Sequence, residues 1–445
     1  MPEVIKPEDP SYDGARLSWN LSADQHPAAI TFARSVEEVQ AAVAWAKENG
    51  LRVACQTTGH AAPALPDLGD ALLLKPELFD DDISIDTNGL TARIPAGAKV
   101  DDVVIAAAEH GYAFLHGSSP TVGVIGYLLG GGLSTYGRSF GLACNHVVSF
   151  ELVTEDGELV TADAAKNQDL FWALRGGGGG LGVVTAVEVE LINMSEVFAG
   201  ASFFAIQDAR AVLETWLEWT RTAPDSATTD FRIMRLPPFE EIPEPIRGQA
   251  VACVDGVSLD PAAGEEFAAL IESAGTPVMG GWGVQPVADI VRLHGDPEQP
   301  VPGVGESALL GGLGDSAIDA FLGAVGEDST SGLISAELRH LGGSLAEPAL
   351  DGGALDHLEG EYSLNGIGLA AGPDMTAKAI ADLDQLSAAM KPFAVDSKFL
   401  NFSERNYELT DCFPQAVLDR LTKVFDRVSP DRLFVAPRSI DGKVD

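Results

Sequence analysis

The glycine-rich segment Arg175–Gly182 constrains the fold of this chain more than any other part of the sequence. Its Gly177, Gly179 and Gly182 match the GxGxxG pattern of dinucleotide-binding folds. That pattern requires a helix directly after the last glycine. Here Val183–Ile192 alternates in polarity and is rich in β-branched residues, which predicts a strand. No Gly-Lys-Ser/Thr P-loop occurs either, so the sequence excludes both of these nucleotide-binding folds.

Two further segments are suited to a close approach by a ligand. Gly117–Gly132 is a second glycine-rich loop, and Gln56–Ala61 places a Thr-Thr-Gly turn and His60 directly after a predicted strand, Leu51–Cys55. Glycine turns can aim backbone N–H groups at phosphate oxygens. One such turn is a weak indicator, because tight turns need glycine for conformational reasons alone. The three segments together predict a site for a phosphate-bearing cofactor.

The composition describes a large and strongly acidic globular protein. A length of 445 residues predicts two or three structural units. The 66 Asp and Glu residues against 28 Lys and Arg residues give a net charge of -38, which excludes nucleic acid and anionic membranes as partners. We predict a solvated, halophilic surface suited to high salt. Binding of a basic partner is the alternative.

The sequence carries no motif for a metal, a disulfide framework or a membrane. The four cysteines form no CxxC pair, and neither an HExxH nor an EF-hand loop occurs, so we predict no metal site. No apolar run reaches membrane-spanning length. Met1–Pro7 lacks a charged-then-apolar signal pattern, and we therefore predict a cytoplasmic protein.

The periodicity of the chain predicts an α+β fold in three segments. In residues 1–195, a capping box at Ser35–Glu38 opens a helix that Gly50 closes, and a second helix runs from Asp101 to Gly111. Strands are predicted at 51–55, 91–94, 147–154, 158–161 and 183–192. Later elements are a helix at 209–220, strands at 333–341 and 362–369, and a helix at 414–428.

With these residues in view, the chain resembles the FAD-linked oxidases of the berberine-bridge-enzyme-like group. This group lies within the vanillyl-alcohol-oxidase, or PCMH-type, flavoprotein superfamily. The group's motifs are a Gly-His pair, a Pro-Thr-Val-Gly before a GG turn, an Arg/Lys-x-x-Gly-Leu segment, an Asp-Leu-Phe-Trp run into glycines, and two short C-terminal motifs. The matching residues are Gly59-His60, Pro120–Gly132, Arg138–Leu142, Asp169–Gly178, Leu400–Phe402 and Pro430–Phe434.

The resemblance implies a two-part PCMH-type FAD-binding domain formed by residues 1–195 and completed by 397–445. Residues 196–396 would form an α+β substrate-binding domain whose antiparallel sheet covers the flavin as a roof. The resemblance also implies a set of cofactor-binding residues. They are Thr57, Thr58, Gly59, His60, Ser118, Ser119, Thr121, Val122, Gly123, Gly126, Tyr127, Gly131, Gly132, Leu133, Gly182, Val184 and Asn401.

His60 is implied as the residue bonded to the 8α-methyl group of the flavin. Members with two flavin bonds carry a cysteine where this chain has Ser119, so we expect a single bond through His60. A noncovalent FAD beside His60 is the alternative. In this family, small branched residues at the position of Val122 tend to accompany the use of O2 as the electron acceptor. The resemblance therefore favours an oxidase over a dehydrogenase.

The chain departs from the family pattern at two places. Phe399 stands where many members have a tyrosine that serves as base or substrate contact, and a phenyl ring cannot accept a proton. Candidate replacements on the roof strands, each of which could instead be structural, are His340, Arg339, Glu361 and Tyr362. Asn145-His146 stands where the family often has Asp-Asn, and we expect this to change only a cofactor contact.

The resemblance implies an FAD-dependent oxidoreductase that acts on a small molecule. Hydride would pass from an alcohol, a sugar or a hydroxylated metabolite to flavin N5, with O2 or another acceptor reoxidising the flavin. The first alternative is an amine oxidase of the hydroxynicotine-oxidase type, because a neutral amine needs no base. The second is a flavin-binding protein of low catalytic activity.

Overall fold

The computed structural model describes residues 3–77, 82–405 and 407–437. Residues 438–445, the end of the predicted C-terminal segment, lie outside the described residues. The strands before residue 195 are β1 (Val4–Ile5), β2 (Ala29–Ala33), β3 (Arg52–Cys55), β4 (Ala71–Pro76), β5 (Ser84–Asp86), β6 (Thr91–Pro95), β7 (Tyr112–Ala113), β8 (Val147–Val153), β9 (Leu159–Asp163), β10 (Val183–Glu190) and β11 (Ile192–Asn193). The helices are α1 (Tyr12–Ala15), α2 (Val36–Glu48), α3 (Val100–Ala108), α4 (Val124–Leu129), α5 (Gly137–Phe140) and α6 (Gln168–Leu174).

This part of the chain contains two main sheets. The first has the order β1-β2-β4-β3, with β2 and β3 parallel to β4. The second has the order β5-β6-β10-β8-β9 and is antiparallel throughout. Leu72, Leu73 and Leu74 on β4 have no exposed surface, as expected for a parallel strand that is covered on both faces. The strand predicted after Gly182 is confirmed, and the glycine loop therefore leads into a sheet.

Local signals position α2 against the first sheet. The Ser35 side chain accepts a hydrogen bond from the Glu38 backbone N–H, which is one half of the predicted capping box, while the Glu38 carboxylate accepts from the Arg34 N–H instead of the Ser35 N–H. Val39, Val43 and Ala46 lie buried on the face that meets the sheet. Gly50 then adopts a φ of +67°, which a residue with a side chain rarely tolerates. The chain turns into β3 here, and β3 leads to His60.

The middle part of the chain forms one large antiparallel sheet with helices on one face. Its strands are β12 (Glu196–Ala205), β13 (Ala227–Arg235), β14 (Ala250–Ser258), β15 (Pro277–Pro286), β16 (Gly303–Leu310), β17 (Ser335–His340) and β18 (Tyr362–Leu369). Its helices are α7 (Ala209–Thr220), α8 (Pro261–Ser273), α9 (Asp315–Val325) and α10 (Pro373–Met390). The strand order is β15-β12-β14-β13-β17-β18-β16, and we call this the roof sheet.

The two faces of the roof sheet differ in chemistry because strand side chains alternate. Phe231 on β13, Leu338 on β17 and Leu364 on β18 pack with Trp216 and Phe321 of the helices into one apolar core. The side chains between them point the other way, towards the first part of the chain. The expectation of an α+β fold with an antiparallel sheet is confirmed.

The C-terminal tail returns to the first part of the chain. It carries α11 (Leu409–Cys412) and α12 (Gln415–Val428), and α12 packs on α6. The backbone N–H of Val53 on β3 donates to Leu433 O at 2.8 Å, and Val435 N–H donates to Val53 O at 2.8 Å. The tail thus extends the first sheet beside β3. Among the helices described, none is long and apolar enough to cross a membrane.

Candidate functional site

A single cavity of about 1670 Å³ runs between the first part of the chain and the roof sheet. Its floor is formed by the His60 turn, by the loop around Ser118–Gly130 and by Gly178–Gly180. Its ceiling is the helix-free face of the roof sheet, where Arg232, Glu337 and other side chains line it. Small-ligand pockets are commonly 300–1,000 Å³. The cavity therefore has room for a dinucleotide-sized cofactor together with a substrate.

His60 lies on the floor of the cavity with both ring nitrogens at threonine hydroxyls. Nδ1 is 2.9 Å from Thr58 Oγ1, and Nε2 is 3.2 Å from Thr121 Oγ1. The ring stacks on Trp19 with centroids 4.0 Å apart and planes inclined by 14°. Burial lowers the pKa of His60 to about 4, so the imidazole is neutral at pH 7. A neutral, held imidazole is a competent nucleophile.

The glycine turn at residues 130–132 is held by the tail. The Gly132 backbone N–H donates to Asn401 Oδ1 at 2.7 Å. A Cβ on Gly130 would lie 2.2 Å from Asn401 Nδ2, so only glycine permits this approach. Asn401 thus positions the floor of the cavity across a long distance in sequence.

Most of the residues expected to bind the cofactor line this cavity. The three that do not are Thr121, which bonds His60, and Gly131 and Gly132, which form the turn next to Asn401. Those on the cavity wall are Thr57, Thr58, Gly59, His60, Ser118, Ser119, Val122, Gly123, Gly126, Tyr127, Leu133, Gly182, Val184 and Asn401.

The cavity wall has the features that an FAD molecule would need. Among the described residues, Gln56 Oε1 and Trp19 Nε1 are buried at the wall without a hydrogen-bond partner, so both can bond a polar ligand. A Cβ built on Gly126 or Gly179 would meet no protein atom within 4 Å. Both glycines line the cavity, so their backbones can touch a ligand directly. The residues present therefore fit FAD.

We expect the substitution Gly126→Leu to weaken FAD binding by about 1–3 kcal/mol, roughly 5- to 150-fold. Gly126 lies on α4 at the cavity wall, where a leucine side chain would occupy the space of the ligand. The measurement is an FAD titration of apoprotein in a His60→Ala background. Gly323→Leu is the matched control, because Gly323 is an exposed helix glycine with equally open surroundings and does not line the cavity. Equal affinities in the two variants would contradict this assignment.

Only Arg339 of the four candidate catalytic residues lines the cavity. His340 is its neighbour on β17 and therefore points to the opposite face, where its Nε2 lies 3.2 Å from Arg138 Nη1. Burial, followed by the nearby Arg138 charge, lowers the pKa of His340 to about 3. The Tyr362 hydroxyl lies 2.6 Å from Thr220 Oγ1 on α7, also on the helix face. Glu361 is exposed before β18. The structure thus corrects the expectation for His340, Tyr362 and Glu361.

Tyr362→Phe tests this placement. Removal of the hydroxyl should cost about 1 kcal/mol of folding stability, since it takes a buried partner from Thr220. The rate at which substrate reduces the bound flavin should stay that of the wild type, because the side chain lies behind the sheet. Urea unfolding and anaerobic flavin reduction measure the two effects. A large fall in the reduction rate without a change in stability would return Tyr362 to the list of catalytic candidates.

The two departures from the family pattern lie away from the cavity. The Phe399 ring is buried among Leu133, Leu345 and neighbouring apolar residues and does not line the cavity. Asn145 donates to Leu355 O and accepts from the Gly353 N–H, and so holds a loop. His146 lies 2.9 Å from Glu190 Oε2. The expectation that Asn145-His146 changes a cofactor contact finds no counterpart in these interactions.

Sequence reasoning named Arg339 but missed the other members of a group of buried charged residues at the roof sheet. We call it the roof network, and it consists of Asp230, Arg232, Asp255, His294, Glu337 and Arg339. A signal was present, because Asp230-Phe231-Arg232 and Glu337-Leu338-Arg339 alternate charged and apolar residues. Such alternation places both charges of each pair on one face of a strand. Asp255 and His294 carry no comparable signal.

Comparisons with known proteins agree with this geometry. Residues 27–163 match the FAD binding domain family. The chain is 31% identical to the FAD-linked oxidoreductase pynB of Aspergillus niger over 52% of this chain and 43% of that protein. It is 34% identical to (R)-6-hydroxynicotine oxidase of Paenarthrobacter nicotinovorans over 43% of this chain and 42% of that protein. The matched regions thus span less than half the length of these relatives.

Solved structures extend the similarity to the whole fold. BBE-like 1 from Physcomitrella patens is 21% identical, with a TM-score of 0.84 over 99% of this chain and 97% of that chain. Berberine bridge enzyme from Eschscholzia californica gives a TM-score of 0.82 at 18% identity over 100% and 97%. Glucooligosaccharide oxidase from Acremonium strictum, described with a 6-S-cysteinyl, 8α-N1-histidyl FAD, gives 0.80 at 20% identity over 99% and 97%.

Residues 27–163 are thus similar to FAD binding domains, and the chain as a whole has the fold seen in BBE-like 1 and berberine bridge enzyme.

Proposed function

We propose that this protein is an FAD-dependent oxidoreductase that oxidises a small molecule beneath the roof sheet. The observation that carries this proposal is the large cavity, which joins the His60 turn and the glycine loops to the charged side chains of the roof. When bound there, FAD supplies the two-electron acceptor for a hydride from a substrate carbon. The chain would hold the cofactor through backbone N–H groups of the floor and orient the substrate through Arg339.

The finer proposal for the cofactor is a single covalent bond between His60 and the 8α-methyl carbon of FAD. His60 is neutral, and the hydroxyls of Thr58 and Thr121 fix its ring. Ser119 offers only a hydroxyl, which lies 3.3 Å from Thr121 Oγ1. A second, thioether bond at that position is therefore not available to this chain. The similar glucooligosaccharide oxidase carries both a cysteinyl and a histidyl bond.

For the substrate, we propose an alcohol, a sugar or a hydroxylated metabolite, with O2 as the acceptor. Val122 lines the cavity, which places its small side chain within reach of a bound cofactor. An amine substrate is the second candidate. Asp296, Glu298 and Glu241 line the cavity, and their charge would attract a protonated amine but not an alcohol or a sugar.

Anaerobic titration of the purified protein with panels of alcohols, sugars and amines tests the proposal. A substrate should bleach the visible flavin band, and admission of air should restore it if O2 is the acceptor. Reduction by amines alone would select the second candidate. A flavin that no compound bleaches would overturn the proposal and favour a flavin-binding protein of low activity. The cytoplasmic location and the adaptation of the acidic surface to high salt stay predictions.

A further inference from the structure

The roof network is a set of ionisable groups with very little exposure to solvent. Each member exposes less than a tenth of its surface: Asp230 7%, Arg232 2%, Asp255 2%, His294 9%, Glu337 5% and Arg339 4%. With the imidazole protonated, three positive and three negative charges balance. Buried charges persist only when they are paired and hydrogen-bonded. Since the two guanidinium groups and the imidazolium already supply that balance, these carboxylates need no metal ion.

Arg339 joins two of the carboxylates through one nitrogen. Its Nε lies 2.8 Å from Glu337 Oε1 and 3.0 Å from Asp230 Oδ1. Among the described residues, the Arg339 side chain makes one hydrogen bond, which its Nε–H donates to Glu337 Oε1. The outer nitrogens of the guanidinium are therefore available to a substrate in the cavity, with Phe402 lying 6.0 Å from the guanidinium carbon.

His294 lies between all three carboxylates of the network. Its Nε2 lies 3.2 Å from Glu337 Oε2, while its Nδ1 lies 3.3 Å from Asp255 Oδ1 and 3.9 Å from Asp230 Oδ2. Burial and the Arg232 charge oppose protonation, but Asp255 and other carboxylates outweigh them and raise the pKa of His294 to about 10. The imidazole is therefore a cation at neutral pH, and both of its N–H groups face carboxylates.

The members of the network differ in what they face. Glu337, Arg339, Arg232 and His294 line the large cavity. Asp230 and Asp255 instead line a small neighbouring space of about 10 Å³, which His294 and Arg339 also line together with Ser118, Thr135 and Thr228. A volume of this size holds one water molecule. Glu337 is thus the carboxylate of the network that can touch a substrate.

We propose that Glu337 is the catalytic proton acceptor of the oxidation and that Asp230, acting through Arg339, is its positioning residue. The inference rests on the proposed function. As the C–H bond of the substrate breaks, hydrogen and both electrons of that bond leave as hydride for the bound FAD. The O–H or N–H bond also breaks, its electron pair forms the new C=O or C=N bond, and its proton goes to the Glu337 carboxylate.

The charge state of Asp230 decides whether Glu337 can accept that proton. Burial raises the pKa of Asp230 to about 7 against the attraction of Arg339, whereas Arg339 and His294 outweigh burial and hold the pKa of Glu337 below its usual range. When Asp230 is ionised, it keeps Arg339 paired while Glu337 becomes neutral. When Asp230 is protonated, a proton on Glu337 would leave buried cations unpaired, which is costly. Oxidation should therefore slow as pH falls through about 7.

One rival carboxylate outside the network must be distinguished from this pair. Glu404 also lines the cavity, and its Oε2 accepts a hydrogen bond from the Gly305 backbone N–H at 3.0 Å. Burial raises the pKa of Glu404 to about 7. A general base with a pKa near the working pH is effective. If Glu404 accepted the proton directly, the oxidation rate would therefore show a similar pH profile without any role for Asp230.

The test is the pH profile of the anaerobic flavin-reduction rate in the flavin-loaded wild type and in three variants. Glu337→Gln should lower the rate by roughly 10²- to 10⁴-fold at all pH values while the flavin spectrum is retained. Asp230→Asn should keep the slow acidic rate of the wild type and lose its rise near neutral pH. Glu404→Gln should keep the rise of the rate near neutral pH, even where the loss of a charge on the cavity wall changes the absolute rate. If Glu404→Gln alone abolishes the rise, or if Glu337→Gln reduces flavin as fast as the wild type, the proposal is overturned.

An infrared difference spectrum between about pH 6 and about pH 8 gives a second readout that does not depend on turnover. Because Glu404 also has a pKa of about 7, the spectra are compared in a Glu404→Gln background. There the flavin-loaded protein should lose a protonated-carboxyl band as pH rises, and the further substitution Asp230→Asn should remove that band. Absence of the band from Glu404→Gln alone would assign the titration to Glu404 and contradict the proposal. A wild type that substrates bleach shows that the proposed function holds, so failure of the variants alone counts against the roles of Glu337 and Asp230.

Discussion

His60→Ala is expected to release all of its flavin on acid precipitation, whereas the wild type should retain flavin in the pellet. Burial keeps the His60 imidazole neutral, and Trp19 stacks on one face of the ring. With a proton on Nε2 donated to Thr121 Oγ1, Nδ1 carries the lone pair that would form the bond to the cofactor, in exchange for its contact with the Thr58 hydroxyl. Alanine removes that nucleophile without altering the glycine loops.

The measurement is the intact mass of the denatured protein together with flavin fluorescence in a denaturing gel. The wild type should exceed its polypeptide mass by one FAD, and His60→Ala should not. His110→Ala is the control, because His110 is exposed and does not line the cavity. Covalent flavin in His60→Ala would show that another residue carries the bond. Flavin that the wild type releases would favour the noncovalent alternative.

Arg232→Met is expected to lower the free energy of unfolding by about 3–5 kcal/mol at neutral pH. Arg232 donates from Nη2 to Asp255 in a short ion pair, and both side chains are 3% exposed. Methionine fills part of the space but leaves Asp255 buried without its main cation. The double variant Arg232→Met/Asp255→Leu should recover most of the loss, because it removes the unpaired charge. Urea unfolding of the two variants measures both effects.

The pH dependence of this loss has a defined sign. Burial opposes the charge on Asp255, but Arg232 and His294 outweigh it and hold its pKa below the usual range in the folded protein. Such a group stabilises the fold above its unfolded pKa of about 3.9, and the stabilisation is lost as pH falls through the folded pKa. Without Arg232 the pKa of Asp255 rises, so acid protonates the unpaired carboxyl. The deficit of Arg232→Met relative to the wild type should therefore shrink on acidification. A deficit that stays constant from neutral to acidic pH, or one that the double variant retains in full, would contradict the assignment of the pair.

The sequence predicted well those elements whose signals are local. The helix at Ala209–Thr220 and the strand at Tyr362–Leu369 have the bounds that periodicity predicted. Ser35 correctly predicted the start of α2, and the alternation after Gly182 correctly predicted β10. In each case, the residues that form the signal also form the element.

Several strands of the roof sheet were not predicted individually, and β15 shows why. Pro277–Pro286 contains Gly280, Gly281 and Gly283, which are depleted in strands and indicate a loop. Pairing with β12 nevertheless makes it an edge strand. Long-range pairing of this kind depends on the register of distant segments, which the periodicity of a single segment cannot reveal.

In the candidate site too, residues within contiguous motifs could be predicted, whereas residues brought together from distant segments could not. The floor residues could be identified because they belong to contiguous motifs around His60, Val122 and Gly178. The catalytic candidates could not, because the roof network is assembled from three strands and one loop. Alternation alone could have shown that the adjacent Arg339 and His340 cannot both face the cavity.

A crystal structure of the flavin-loaded protein, obtained with a substrate that bleaches it, would test the central claim most directly. The account predicts an isoalloxazine ring between the His60 turn and the roof sheet, with its reactive face and the substrate towards Glu337 and Arg339. A ring bound elsewhere, or a substrate whose hydroxyl or amine faces Glu404 instead, would contradict it.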